Sequence, residues 1–466
     1  MGKDDRRGEQ GEFRGDISRD SFEAAKRFSR VLMQQGRVQL DADWNEQTSI
    51  LLHHVRALAA DLIGPHGGPG DGFRIENVAL GDGSLLFTLA PGHYYVDGVL
   101  CEADADELVS IGSEGLEAGK RYVAFLDVWE RHVSADEDDD IREVALGGSD
   151  TATRGQVAYQ IELPHVEDEK VQRGLRSRDP IRFVESIRKD LMRTELPRLR
   201  ARAKAEEATD PSPTTSASGY VGVENRLYRV EIHRGGVAWD KKPAEASSDD
   251  RPQAATVKWS RCNGSLVFPI LALKGDSVTL ARLGPVALRL AKGDCVEITD
   301  DDLARRGRPG ELRHIKSIAP DGRTMTLGEP VAQAYESTST KHPLLRRWDH
   351  SGAAGRQVGG AILVTETSGG DDDWIALEDG VQVQFQPART GKSRYRAGDY
   401  WLIPARTATS DVLWPRKSAA GGDVAKAQPP NGVAHHYAPL AIIEIGKKSA
   451  RVVRHLRRTF APLARR

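Results

Sequence analysis

The spacing of apolar positions that begins at Asp41 predicts an amphipathic helix close to the N-terminus. Asp41 or Asp43 can cap its first turn, with Glu46 completing a capping box, and Gly64 followed by Pro65 ends it. Steps of four and three residues join one line of side chains along this helix, which is the heptad spacing of packed helices. We call this line the seam, and its members are Trp44, Thr48, Leu51, Val55, Leu58 and Leu62. Two alternatives follow: the seam is buried against its own domain, or it is shared between subunits.

Beyond a glycine-rich loop at residues 64–72, the pattern changes to the short alternating apolar runs of β-strands. One run is folded at Asp97-Gly98, a dipeptide that supplies the positive φ of a tight hairpin. Further runs, separated by Gly, Asp and Asn turns, continue toward the C-terminus, as is typical of sandwiches and barrels. The predicted fold class is therefore mainly β, with several sandwich-like or barrel-like domains and the N-terminal amphipathic helix.

One further helix is predicted over residues 180–196. Asp179 can cap it, Pro180 suits the first helical position, and Pro197 ends or kinks it.

Composition shifts suggest where the domains begin and end. Residues 204–219 are rich in Pro, Ser, Thr and charge, which predicts a linker. The predicted division is a disordered tail (1–12), an N-terminal helical segment (13–66), a first β domain with a helix (67–203), the linker (204–219), a second β domain (220–345) and a C-terminal β region (346–466).

The charge balance excludes several classes of partner. With 66 Lys and Arg against 68 Asp and Glu, the net charge is −2, so no global field attracts nucleic acid or anionic lipid. No apolar run approaches the ~20 residues of a membrane span. The first residues lack a secretory signal, and the three cysteines lack C-x-x-C spacing, so we expect synthesis in the cytoplasm.

Several long segments together resemble one known family. They include FSRVLMQQGRVQLDADWNEQ at residues 28–47 and PGHYYVDG at 91–98, and the others lie at 145–154, 225–233, 258–265, 398–406 and 435–440. The resemblance is to an uncharacterised bacterial family, a domain of unknown function, whose members recur beside genes of extracellular contractile injection systems, the phage-tail-like particles. The N-terminal pattern is also similar to the start of some phage baseplate and tail-fibre proteins, which are typically homotrimers.

The resemblance implies a structural or assembly component of such a particle, as a baseplate, fibre or accessory protein that acts through protein–protein contacts. Its expected partners are other particle proteins and further copies of the chain, with a trimer favoured. Its expected location is a particle that is released or acts outside the cell. Two alternatives stay open: a module that binds carbohydrate or a cell surface, and a cargo effector or glycan-cleaving hydrolase.

No catalytic, cofactor or metal site is predicted, because none of the common nucleophile, zinc or phosphate motifs is present. Glu224 and Glu231 are weak candidates for paired carboxylates. His435 and His436 would point to opposite faces of a strand, so one ion would not hold both. The candidate binding aromatics, for a sugar or protein surface, are Tyr228, Trp259, Trp348, Tyr400 and Trp401, although burial in the core is the simpler interpretation.

Overall fold

The computed structural model describes residues 11–81, 83–113, 115–164, 168–192, 196–204, 219–239, 254–281, 290–332, 335–336, 342–350, 357–367, 373–388, 394–419 and 422–461. Of the predicted linker, only the first and last residues fall within these ranges.

The N-terminal helix is confirmed. It is α1 (Asp41–Ile63), and Asp43 accepts a hydrogen bond from the backbone N–H of Leu40 at 3.3 Å. Gly64 ends the helix with a φ of 88°, a left-handed conformation that glycine adopts without steric cost. Glu46 does not complete a capping box, because its carboxylate accepts from the hydroxyl of Ser21.

The other helices are short. They are α2 (Glu169–Leu175), α3 (Ile181–Leu191) and α4 (Asp301–Arg305). The carboxylate of Asp179 accepts from the N–H of Ile181 at 3.2 Å, as expected at the start of α3. The helix ends at Leu191 and not at residue 196, and α2 was not predicted.

The rest of the described chain is mainly β, which confirms the predicted fold class. The strands before residue 204 are β1 (His66–Pro69), β2 (Ile75–Gly81), β3 (Ser84–Leu89), β4 (Gly92–Val96), β5 (Val99–Ala103), β6 (Glu107–Gly112), β7 (Arg121–Val133), β8 (Arg154–Glu162) and β9 (Arg198–Ala203). Those between residues 220 and 350 are β10 (Arg226–Arg234), β11 (Gly236–Val237), β12 (Thr256–Ser260), β13 (Val267–Lys274), β14 (Ser277–Leu280), β15 (Cys295–Thr299), β16 (Glu311–Ile318), β17 (Thr324–Leu327), β18 (Tyr335–Glu336) and β19 (Leu344–Trp348). The last group is β20 (Gln357–Val358), β21 (Ala361–Leu363), β22 (Ile375–Ala376), β23 (Val381–Gln386), β24 (Arg394–Tyr395), β25 (Tyr400–Arg406), β26 (Asp411–Val412), β27 (Arg416–Ala419), β28 (Gly422–Ala425), β29 (His436–Ile445), β30 (Ala450–His455) and β31 (Thr459–Phe460).

Three large apolar cores lie between or beside these sheets. The first is enclosed by β1–β8 and the C-terminal strands β29 and β30, and helices α2 and α3 cover the outer face of β7 and β29. The second lies among β9, β10, β12, β23 and β25. The third belongs to the sheet ordered β14-β17-β16-β15-β19-β13-β18.

The sequence analysis predicted residues 346–466 as a C-terminal β region of their own, but strands of this region pair with strands of the preceding regions. Strand β29 pairs antiparallel with β7, β25 pairs with β10, and β23 pairs with β9. Strand β9, assigned from the sequence to the first β domain, therefore contributes Leu199 and Ala201 to the second core. Strand pairing thus crosses the predicted boundaries at 203 and 345. Local patterns locate strands but do not show which distant strand each one pairs with.

Candidate functional site

The seam of α1 is exposed in the part of the chain that the structure describes. Its five apolar members, Trp44, Leu51, Val55, Leu58 and Leu62, are between 55% and 78% exposed. The residues that α1 buries against its own chain are instead Ala42 and Ile50. The described part of the chain therefore does not bury the seam, as the first alternative would require.

The exposed apolar surface extends to the segment before α1. Phe28, Leu32, Met33, Val38 and Leu40 are all exposed as well. Single apolar residues are normal on a protein surface, whereas here several lie exposed within one short stretch of the chain.

The opposite face of α1 is attached to the body at defined points. The guanidinium of Arg56 lies 2.9 Å from the carboxylate of Glu130 on β7. The backbone carbonyl of Arg56 approaches Gly98 so closely that a Cβ there would lie 2.1 Å from its oxygen. Only glycine fits this hairpin against the helix.

Residues 11–15, which precede this exposed segment, are bound inside the protein. The hydroxyl of Tyr400 donates to the carbonyl of Gly11 at 2.9 Å, and Arg229 donates to the carbonyl of Phe13 at 2.8 Å. Asn263 donates to the carbonyl of Gly15 at 3.0 Å. The predicted disordered tail was thus wrong for Gly11 and Glu12; residues 1–10 lie outside the described part.

A network of buried charges surrounds this segment. Glu231 on β10 accepts from Arg14 at 2.8 and 3.0 Å and from Arg229 at 2.6 Å, and it lies 3.3 Å from the ammonium of Lys258. Burial alone would raise the pKa of Glu231, but Arg14, Lys258 and Arg229 outweigh it and hold that pKa well below its usual value. Glu231 is therefore ionised and bound by three cations. This arrangement does not support the weak prediction that Glu231 is one of two paired catalytic carboxylates.

Glu297 on β15 is the second anion of the network. It accepts from Lys258 at 2.6 and 2.7 Å and from the indole N–H of Trp348 at 2.8 Å. Burial opposes ionisation, but Lys258 and His233 lower the pKa of Glu297 to about 2. Glu224, the other weak candidate, pairs at 2.9 Å with Arg226 on the surface and takes no part.

A cleft with a volume of about 160 Å³ opens beside this network. Its walls come from the N-terminal segment, from β7 and β8, from β10, β12, β15 and β19, and from the region of α4. Eight carboxylates and seven Lys or Arg side chains line it, so its charges nearly balance. The sequence analysis expected no such convergence, because these residues lie on strands far apart along the chain.

One end of the cleft is acidic. Asp127, in the middle of β7, is buried and accepts a hydrogen bond from Nδ1 of His435 at 2.7 Å. Gln160 donates to Asp127 at 3.2 Å and to Glu162 at 3.4 Å. Burial and the charge of Asp127 raise the pKa of Glu162 to about 7, so this carboxyl can gain or lose a proton near neutral pH.

His435 and His436 face opposite sides, as predicted. Nδ1 of His436 lies 3.2 Å from Asp97 of the hairpin, away from the cleft.

Another part of the lining contains Arg14, Arg346 and His132. Arg14 contacts Glu12 and Glu231, and these carboxylates hold its pKa well above the usual value despite burial. Burial, followed by the charge of Arg14, lowers the pKa of nearby Arg346 to about 10. Burial, Arg346 and Arg14 together lower the pKa of His132 to about 3, so its imidazole is neutral at pH 7.

The candidate binding aromatics do not form an exposed platform. All five are buried: Tyr228, Trp259, Trp348, Tyr400 and Trp401. Tyr228, Trp259 and Trp401 belong to the second apolar core, while Tyr400 lies under the guanidinium of Arg229 at 3.7 Å. The alternation along β10 explains this, since Tyr228, Val230 and Ile232 face the core and Arg229 and Glu231 face the network.

Within the described residues, no group of three His, Cys, Asp or Glu side chains is arranged to hold a metal ion. Over the same residues, no helix has the length and apolar character needed to cross a membrane.

The comparisons with known proteins place the chain in a family. One family model matches residues 13–178 and 175–453, and it is described as a family of unknown function, DUF6519. No curated protein and no solved structure matches the chain. The two matched regions cover most of the sequence, and the chain therefore belongs to this family of unknown function.

Proposed function

We propose that this protein is an assembly component that associates with copies of itself through the seam of α1. The observation that carries the proposal is the exposure of all five apolar seam residues on a helix whose other face is fixed to the body. Heptad spacing makes such a seam complementary to itself, because identical helices can interlock their side chains along it.

The apolar area supports a stable contact. Burying a large aliphatic side chain contributes roughly 1.5–3 kcal/mol when it is fully removed from water. Five side chains that are each more than half exposed can therefore contribute about 5 kcal/mol per chain, before the entropic cost of association. Phe28, Leu32 and Met33 lie on the exposed segment before α1 and would enlarge the contact.

The wider setting of this assembly is also part of the proposal. The resemblance to proteins encoded beside contractile injection systems suggests a baseplate, fibre or accessory component of a phage-tail-like particle. A trimer is the favoured state, by analogy with tail-fibre and baseplate proteins. Mass spectrometry of intact particles tests this setting: the chain should be present at a constant ratio to the particle's sheath protein.

The self-association is tested by placing charges in the seam. The double variant Leu51→Asp and Leu58→Asp should sediment as a monomer, because ionised carboxylates cannot be buried between helices without a partner. The measurement is analytical ultracentrifugation across a hundredfold range of concentration. Unchanged sedimentation of the double variant, or a wild-type protein that stays monomeric throughout, contradicts the proposal.

The matched control is Ala57→Asp. Ala57 is also exposed on α1 but lies outside the seam, so the added carboxylate stays in water and the oligomer should persist.

A further inference from the structure

Arg346 on β19 is a buried cation without an anionic partner in the described part of the chain. Its side chain is only 8% exposed and lines the cleft. One nitrogen of its guanidinium donates to the carbonyl of Gly264, and no described carboxylate oxygen lies within 4.0 Å of the group. Buried charges are normally paired, so this arrangement needs a physical reason.

The nearest carboxylates are already paired with other cations. Glu137 lies 3.3 Å from Arg131, Glu231 holds Arg14 and Arg229, and Glu297 holds Lys258. These acids attract Arg346 only from longer range, and Arg14 repels it. Arg346 thus has no carboxylate of its own among the described residues, although acids elsewhere in the lining attract it.

His132 gives independent support. Its Nε2 atom is buried at the cleft without any hydrogen-bond partner among the described residues, although buried ring nitrogens are usually satisfied. A neutral imidazole there can donate one hydrogen bond to a group bound beside Arg346.

We propose that the cleft binds a small hydroxy-carboxylate, a sugar acid, whose carboxylate is held by Arg346 and His132. A guanidinium presents a planar fork of donors that matches a carboxylate with two parallel hydrogen bonds. The ligand's hydroxyl groups face the polar end of the same cleft, where Asp127, Gln160 and Glu162 supply acceptors and a donor.

Size and charge both limit what the cleft can hold. A cavity of about 150 Å³ encloses a molecule the size of benzene, and this cleft measures about 160 Å³, so it takes the carboxylate end of a sugar acid and leaves part of the ring outside. Arg346, which has no described carboxylate within 4.0 Å, is the point where one negative charge can bind, and the excess of eight acids over seven bases in the lining disfavours a polyanion. This inference concerns a different surface from the seam, so either proposal can fail alone.

Binding is tested by ligand-observed saturation-transfer NMR on the full chain, with D-glucuronate and D-galacturonate as probes at millimolar concentration. At least one of the two acids should bind at least tenfold more tightly than D-glucose, which has the same ring without the carboxylate. The proposal is overturned if neither acid binds, or if D-glucose binds equally well.

Two variants test whether Arg346, and not the adjacent Arg347, holds the carboxylate. Arg346→Met removes the charge and should weaken binding of the sugar acid at least tenfold. Arg347→Met is the matched control: it lies on the same strand, pairs with Asp349 at 2.9 Å and does not line the cleft, so binding should be unchanged. Equal affinity of Arg346→Met and the wild type also contradicts the proposal.

If Arg346→Met fails to fold, Arg346→Lys replaces it. Lysine keeps the charge but lacks the fork, so a tenfold loss of affinity is again expected. In the wild type, the bound acid should raise the pKa of the His132 imidazole, which NMR detects after assignment with His132→Gln. A His132 pKa that does not move on saturation with either acid counts against the site.

Discussion

The seam of α1 and the cleft hold their side chains in opposite ways. The seam presents apolar groups to solvent on a single continuous helix. The cleft instead buries charged groups that come from separate strands and from the N-terminal segment. An exposed apolar surface gains free energy only when another molecule covers it, whereas a buried charge loses free energy unless its partners are already in place. The difference teaches that the seam would gain free energy only from the association proposed above, whereas the cleft depends on the completed fold.

The largest effect is expected from breaking the centre of the charge network. Glu231→Gln leaves Arg14, Arg229 and Lys258 without their shared anion and should destabilise the protein by about 3–5 kcal/mol. Urea denaturation followed by tryptophan fluorescence measures the change. Glu224→Gln is the control on the same stretch of chain, because that carboxylate is 65% exposed and its loss should cost less than ~1 kcal/mol. Equal effects of the two variants would mean that the network contributes no more than a surface ion pair.

A pair of variants truncates one apolar side chain on each face of α1. Ile50→Ala should destabilise α1 by about 2–4 kcal/mol, because Ile50 is fully buried against the body. Leu62→Ala should change stability by less than ~0.5 kcal/mol in dilute protein, because the side chain is already in water. Hydrogen exchange of the α1 amides distinguishes the two outcomes. If Leu62→Ala has the larger effect, the seam has a contact within the chain that contradicts its exposure.

The smallest effect concerns the pH dependence of the acidic end. The pKa of Glu162 is raised from 4.5 to about 7, so the folded state keeps this proton where the unfolded chain has lost it. The contribution of Glu162 to the free energy of unfolding is fully present below pH 4.5, and it is lost as the pH rises to about 7. Glu162→Gln removes that loss and should stabilise the protein at pH 8 by on the order of 1–2 kcal/mol, after allowance for partial exposure. Thermal melts of both proteins at pH 5 and pH 8 measure the difference, which should be smaller at pH 5.

The same contrast explains which features of the structure could be predicted from the sequence. The bounds of α1 follow from local features, namely a repeating apolar spacing and the stop at Gly64. The alternation along β10 also placed Tyr228 and Arg229 correctly on opposite faces. Whether the seam is exposed could not be predicted, because that depends on which face of α1 the rest of the fold covers.

The cleft could not be assembled from the sequence. Its residues, among them Arg14, Asp127, Glu297 and Arg346, meet only through pairings such as β29 with β7 and β15 with β19. One local feature was available: Asp127 is a charge within the apolar run of residues 122–129. A charge at such a position is buried and needs a partner, which here is His435.

The anchoring of residues 11–15 has a mechanical consequence. Tyr400, Arg229 and Asn263 hold this stretch at one end, while β1 continues directly from α1 at the other and pairs with β4. Residues 16–63 are thus fixed at both ends, and the ion pair of Arg56 with Glu130 holds α1 between them. A pull along α1 would be borne by the interior hydrogen bonds at residues 11–15, by this ion pair and by the pairing of β1 with β4.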